Sequence, residues 1–303
     1  MAGTAPPAAS AGAGAMAGMT PINRTVSRRL GRRRQGRDLA VRVLCGGATL
    51  IGLAALASIL YTLAARGLGG LSLHVLTTGM RAAGSNGGLA NAIVGTLIMT
   101  TLAMLIGTPI GLLAGTFLAE YAQTSRVGDA VRFVADMLLS APSILIGLFV
   151  YNLMVVPFGY SGLAGAIALA VIAVPIVVRT TEDMLRLIPV PMREAAVALG
   201  APKWRVIVTI CYRGARDGIA TGILLAVARV AGETAPLLFT SLGNQNMTLD
   251  LRHAMSALPL AINQDAGSSS NDLVQLAWVG ALLITAGVLA TNVLARLLLR
   301  KRD

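Results

Sequence analysis

The chain has 303 residues, of which 55% are hydrophobic and 13% charged, and its mean hydropathy is +0.73; this balance excludes an ordinary soluble domain and places the chain in a bilayer. Its formal charge of +12 does not make it a nucleic-acid binder, because five Phe, five Tyr and two Trp leave few platforms for stacking bases. Cys45 in an apolar stretch and Cys211 in a predicted loop support neither a disulfide framework nor a paired-ligand metal site, so no metal is expected.

Residues 1–23 hold Ala, Gly, Pro and Met with no charge, and Arg-rich sequence follows, so residues 1–38 read as a disordered basic tail. Ser27-Arg28-Arg29-Leu30 faintly resembles a twin-arginine export signal. The apolar segment after it is long enough to span and more spans follow, which favours an uncleaved first helix. Residues 39–303 then read as one transmembrane domain. Roughly 20 apolar residues cross a bilayer, and six stretches qualify: about 40–65, 89–118, 133–157, 162–179, 218–240 and 273–297. The predicted fold class is all-α and polytopic, with about six transmembrane helices.

The cations set the orientation. Eight lie between Arg24 and Arg42, then come Arg126 and Arg132, seven from Arg179 to Arg216, and Arg296, Arg300, Lys301 and Arg302, all in segments that an even span count puts on one side. Only Arg66, Arg81 and Arg252 fall on the other. Positive charge collects inside, so both termini are expected in the cytoplasm.

In the second span Gly107, Gly111 and Gly115 recur every fourth residue, which predicts a helix-packing seam. Pro109 and Pro142 remove backbone hydrogen bonds within spans and read as kinks or hinges. Arg132 and Asp136 read as a structural pair at four-residue spacing. Asn91 and Ser143 either line a cavity or bond across helices. His74 and His253 fall in outside loops, where a solvated imidazole is expected. The stretch Ser241–Asp272 is rich in Asn, Gln and Ser and reads as loop surface.

Arg229 lies about eleven residues into the fifth span, roughly 16 Å deep at 1.5 Å per residue. A charge at that depth costs about 2.5 to 3.5 kcal/mol. Glu233, four residues on, shares its face and neutralises it. The pair reads as part of a substrate pathway, with a structural ion pair as the competing account. Arg179, at the inner end of the fourth span, either attracts an anion or snorkels to the headgroups.

Residues 180–217 are too long for a turn and fit two short helices. Pro191 suits a first turn, Glu194 the positive end, Ala195, Ala196, Ala198 and Leu199 the interior and Gly200 the cap. Beyond Pro202, the residues Trp204, Ile207, Val208 and Cys211 follow i, i+3, i+4, i+7 spacing beside Lys203, Arg205, Arg213 and Arg216. That stripe fits a helix lying on anionic lipid or one docking a partner, and periodicity does not choose.

Arg193-Glu194-Ala195-Ala196, three residues, Gly200 and then Ile210 resemble the EAA loop of ABC-importer permeases. That family's pattern ends Ile-x-Leu-Pro, where this chain reads Ile210-Cys211-Tyr212-Arg213. The resemblance implies that Glu194, Ala195, Ala196 and Gly200 couple the chain to a separate ATPase, and that the fold is a type I ABC-importer permease. Leu118-Ala119-Glu120-Tyr121, Leu139 to Ile144, Val174 to Glu182 and Ala228 to Phe239 together resemble the PstA-type permease family of ABC phosphate importers.

That second resemblance implies a permease subunit that moves inorganic phosphate into a bacterial cell by alternating access, with Arg229, Glu233 and Arg179 on the route. It implies a PstC-type second permease, a dimer of nucleotide-binding subunits holding ATP and Mg, and an extracytoplasmic phosphate-binding protein, in the cytoplasmic membrane. The chain itself is expected to carry no cofactor and no enzymatic activity: Lys203 and Lys301, its only lysines, stand in no Gly-Lys-Ser/Thr loop. The alternatives are a permease for another oxyanion or a polytopic membrane enzyme acting on phosphate esters. The enzyme would need a nucleophile or metal cluster that the sequence does not offer.

Overall fold

The computed structural model describes residues 21–300. The chain divides after Tyr61 into two compact units. Helix α1 (Pro21–Gly70) is helical from Pro21, inside the segment predicted as a tail to residue 38; residues 1–20 lie outside the described residues. Its portion Val41–Gly70 is long and apolar enough to cross a membrane.

In the second unit, three more helices meet that standard: α3 (Ala90–Glu120), α6 (Gly162–Arg186) and the Asn271–Ala295 part of α11 (Asn271–Arg300). The short α2 (Leu73–Thr77) precedes α3. The predicted third span is instead a bent pair, α4 (Arg126–Ser140) and α5 (Ser143–Val150) with its extension to Phe158, meeting at 103°. Pro142 accounts for the bend: it lacks an N–H and drives the residue before it out of the helical region, and Ala141 has ψ 137. The predicted fifth span is α8 (Tyr212–Ala231), which stops at Ala231; a break at residues 232–234 separates it from α9 (Ala235–Thr240). By length and composition, four helices among the described residues qualify as spans, or five with the bent pair, where the sequence predicts six.

Helix α6 is the centre of the unit. Of its apolar window 72% is buried, against 22% for α3 and 17% for α11. Small residues make this burial dense: Ala166, Ala170 and Ala173 join Leu169, Ile176 and Val177 in one core with Met99 and Ala103 of α3 and Ala226 and Val230 of α8. The three seam glycines face α6 in register. A Cβ built on Gly107 would lie 3.2 Å from that of Ala173, on Gly111 2.6 Å from Val177 and on Gly115 2.7 Å from Thr181. Both rows repeat every four residues, so two helix backbones pack along parallel ridges that any side chain on α3 would hold apart.

The stretch Ser241–Asp272 is not the loop surface its polarity suggests. It contains α10 (Leu258–Ala266), in which Leu258, Leu260 and Ala261 are buried. Backbone groups there find partners on α3: the Leu258 N–H donates to Thr96 Oγ1 at 2.7 Å, while Asn91 Nδ2 donates to the carbonyls of Asn244 and Gln245 at 2.7 and 3.1 Å. Asn91 Oδ1 accepts from the Met80 N–H at 3.0 Å. Asn91 therefore bonds across segments, with three of its four hydrogen-bonding positions used.

Candidate functional site

The motif residues Glu194 to Gly200 lie on a short, exposed helix, α7 (Val190–Ala198). Pro189 and Pro191 start it, and Gly200 ends it at φ +83, a left-handed conformation that side chains disfavour. The Gly200 N–H bonds the Val197 carbonyl at 2.9 Å and the Ala201 N–H bonds that of Ala196 at 3.1 Å, the Schellman pattern. Glu194 and Ala195 are exposed, as are Val190, Met192 and Val197, and Leu199 is 89% exposed. Apolar side chains thus lie open on both flanks of the face that α7 buries.

That face is bolted to the end of α3. The Arg193 Nη1 lies 2.6 Å from Glu120 Oε1, with both side chains largely buried, and its Nη2 donates to the Leu185 carbonyl. Lys203 Nζ donates to the Glu120 carbonyl at 2.6 Å and stands over the Tyr121 ring at 4.2 Å. Ala196 packs against a core of Ala119, Leu185, Val206 and Cys211. Two of the helix ends meeting here, those of α3 and α6, come from spans.

The stripe predicted beyond Pro202 is split. Ile207 and Cys211 are buried, whereas Trp204 and Val208 are more than half exposed. The helical piece Lys203–Val206 passes through a π-turn at Ile207–Cys211 into α8. The wider turn rotates the following residues relative to a 3.6-residue pattern, which is why i, i+3, i+4, i+7 counting misassigns the face. The segment is the beginning of α8, not a second independent loop helix.

Arg229 and Glu233 are neighbours, Nη2 to Oε1 3.4 Å, but not within one continuous span. Arg229 sits in the last turn of α8, where unpaired carbonyls favour a cation. Glu233 sits in the break. Arg229 is 54% exposed and Glu233 12%, so the cation has a free side and the anion is mostly enclosed. Arg179 is elsewhere. Its neighbour Thr180 packs on Gly222, seven residues before Arg229 and so roughly 10 Å along α8. Its guanidinium lies 4.0 Å from Glu182 and 3.9 Å from Asp183.

Glu182 is the functional-looking residue that reading the sequence passed over. It is 1% exposed, and Arg132 Nε and Arg186 Nη2 each lie 2.7 Å from its Oε1. Arg132 also bonds Asp129 at 2.9 Å and the carbonyls of Leu118 and Ala122 at 3.2 and 3.0 Å. Asp136 is not its partner, which corrects the pair expected from spacing: the guanidinium divides between the buried carboxylate of Glu182 on α6 and that of Asp129, one turn back on α4. The signal was present as Arg179, Glu182 and Arg186 at i−3 and i+4 on one helix.

Two open cavities flank α3. One of about 440 Å³ is lined by Thr100, Thr101, Thr108 and Val227. The other, of about 430 Å³, shares Thr100, Thr101 and Val227 and adds Thr96 and Thr291. Arg229 lines neither. His74 is held by the Asn86 carbonyl at 2.9 Å and His253 by Asp250 at 2.9 Å, and the described residues hold no cluster of three metal-ligating side chains.

Among the described residues, a set of helices with a buried central helix and a tight glycine seam is the architecture of a membrane permease. Residues 107–303 match the model of the binding-protein-dependent transport system inner membrane component family. The chain belongs to that family. It is 53% identical to the phosphate transport system permease protein PstA of Pasteurella multocida, over 82% of this chain and 90% of the relative. It is 50% identical to the PstA of Xylella fastidiosa over 91% and 96%, and 37% identical to a probable PstA of Methanocaldococcus jannaschii over 93% and 98%. Among solved structures, the inward-facing MetNI methionine ABC transporter matches with TM-score 0.59 at 19% identity, covering 71% of this chain and 96% of that one. The fold is that of a type I ABC-importer permease.

Proposed function

We propose that the chain is a permease subunit of an ATP-driven importer and carries inorganic phosphate into the cytoplasm. The observation that carries this reading is the near-full-length identity of about half to proteins named phosphate transport permeases. The exposed apolar side chains of α7 support a docking role: Val197 and Leu199 lie open at 57% and 89% on a helix whose packed face is fixed, the arrangement by which a helix fills a partner's groove. The partner is a nucleotide-binding subunit that holds ATP and Mg.

The rest of the assembly is a second permease related to this one, a second nucleotide-binding subunit and an extracytoplasmic phosphate-binding protein. The chain lies in a bacterial cytoplasmic membrane with α7 and both termini on the cytoplasmic side, the orientation its cation distribution favours.

Closure of the ATPase dimer moves α7, and the Arg193–Glu120 contact carries that motion to α3 and so across the glycine seam to α6. Arg229, half exposed at the end of a broken helix, supplies the cation that an anion crossing hydrocarbon requires. Purification of the tagged chain from its membrane should bring down an ATPase and a second permease, and the reconstituted assembly should accumulate radiolabelled phosphate only with ATP. Accumulation of another oxyanion in place of phosphate would reject the substrate, and accumulation without ATP would reject the coupling.

A further inference from the structure

At the end of the bundle opposite α7, a cleft of about 320 Å³ opens between the segment before α3, the loop after α9 and the end of α10. Its polar lining is Arg81, Gln245, Gln264, Asp265 and Ser268. Asp265 is only 7% exposed and lines the cleft. No ion pair or side-chain hydrogen bond partners its carboxylate among the described residues, and its oxygens are left to the cleft. Burial alone pushes its pKa up, to about 6. Arg81, lining the same cleft, is exposed and likewise has no carboxylate partner among the described residues.

A cation and an anion in one small cleft would ordinarily neutralise each other. Here no ion pair joins them, and Gln245, Gln264 and Ser268 share the lining. The ligand that satisfies both carries anionic oxygens for the guanidinium and an acidic hydroxyl that can donate to a carboxylate. A singly or doubly protonated phosphate has both. Sulfate has the oxygens and no proton, so an ionised Asp265 repels it.

We propose that this cleft receives protonated phosphate, with Arg81 holding its anionic oxygens and Asp265 accepting a hydrogen bond from its P–OH. The inference rests on the phosphate reading above and adds a selectivity filter borne by the permease itself. The cleft size is at the small end of ligand pockets and suits a small ion.

The test uses the intact transporter, purified with its partner subunits and washed free of the soluble binding protein, and measures equilibrium binding of radiolabelled inorganic phosphate with and without excess sulfate. Arg81→Gln and Asp265→Ala should each weaken phosphate binding roughly 10- to 100-fold, the loss of one charge-assisted hydrogen bond. Asp265→Asn should lose discrimination as well: its amide donates to a fully ionised oxyanion, so sulfate now competes. Co-purification of the other subunits and a melting temperature no lower than that of the unaltered transporter in at least the Asn variant show that the fold is retained.

Phosphate binding at the unaltered strength in both Arg81→Gln and Asp265→Asn overturns the inference alone. Unaltered phosphate binding combined with lost capture of the binding protein also overturns it and reassigns the cleft to docking. A transporter that moves no phosphate even when unaltered overturns the substrate reading and this inference with it.

Discussion

Replacing Glu120 by Gln removes the anion on which α7 is anchored while keeping the shape of its side chain. In the native arrangement the Arg193 guanidinium is 17% exposed and the Glu120 carboxylate 7%, 2.6 Å apart. Removing one member of such a pair leaves the other buried without compensation, which costs about 3 to 5 kcal/mol. Arg193 keeps its bond to the Leu185 carbonyl and Lys203 keeps its bond to the backbone of residue 120, so the lower end, about 3 kcal/mol, applies. That shifts the balance between seated and released α7 by roughly 100-fold toward release. Reconstituted transporter, with ATP hydrolysis and phosphate uptake measured on the same vesicles, should hydrolyse ATP at near its basal rate while importing at least tenfold less phosphate per ATP. Arg193→Met should behave alike, and the double variant Glu120→Gln with Arg193→Met should recover part of the loss, because no buried charge is then orphaned. Unchanged phosphate imported per ATP in both single variants would refute the anchoring role.

Gly111→Ala places a Cβ 2.6 Å from Val177 Cβ and should lower the thermal stability of the detergent-solubilised chain by about 1 to 3 kcal/mol, whereas Gly46→Ala, with nothing within 4 Å, should leave the melt unchanged or raise it. Gly200→Ala forces a side chain onto φ +83 at a cost of about 1 to 2 kcal/mol and should weaken ATPase capture in pulldown, with Gly200→Asn intermediate. Arg229→Gln should abolish phosphate uptake with the assembly intact, and Arg229→Lys should keep a fraction; normal uptake by the Gln variant would leave the residue a packing role only. Asp265→Asn should stabilise the chain at neutral pH. The native carboxyl titrates near 6 and the unfolded one near ~3.9, so folded wild type binds the proton more tightly and loses stability as pH rises from about 4 to 6. Melting curves of wild type and variant should therefore diverge across that window and run parallel above it, and curves that stay parallel from pH 4 upward would contradict the burial of Asp265.

Periodic features were legible before any coordinates. Gly107, Gly111 and Gly115 could be read because a four-residue repeat of missing side chains has one geometric meaning on a helix, and α3 places all three against α6. The start of α7 at Pro191 and its end at Gly200 could be read because each residue has a specific backbone constraint. What counting could not see were departures from a uniform helix. Hydropathy runs smoothly through Pro142, yet the backbone turns by 103° there. It also runs through Gly232, yet α8 ends one residue earlier, and the π-turn at Ile207–Cys211 rotates the apolar stripe away from its expected face. Helix α10 escaped because its five-residue apolar run, Leu258 to Ile262, follows polar residues that pair with backbone instead of water, Ser241 with the Met255 carbonyl and Asn244 with that of Ala254. Partners distant in sequence were hidden altogether: Arg132 with Glu182 spans fifty residues and Glu120 with Arg193 more.

These distant pairs share a physical logic. A dense seam transmits displacement well, because small residues packed backbone to backbone have no soft side chains to absorb it. Helix α6 is the element least able to deform, being buried on most sides, and both charged contacts end on or beside it: Glu182 is within α6, and Leu185, which accepts from Arg193, is one turn further on. Compliance has to come from elsewhere. It is found where the backbone has already left the helical path, at Ala141-Pro142 and at residues 232–234. Hinges are a few element-terminal residues that absorb dihedral change, and these two meet that description. The helices that follow them are in contact, since Gly147 of α5 packs on Pro236 of α9 so closely that a Cβ would fall 2.7 Å from its Cα. Motion at one break is therefore felt at the other, and the second break is the one that holds Glu233, with Arg229 a turn away.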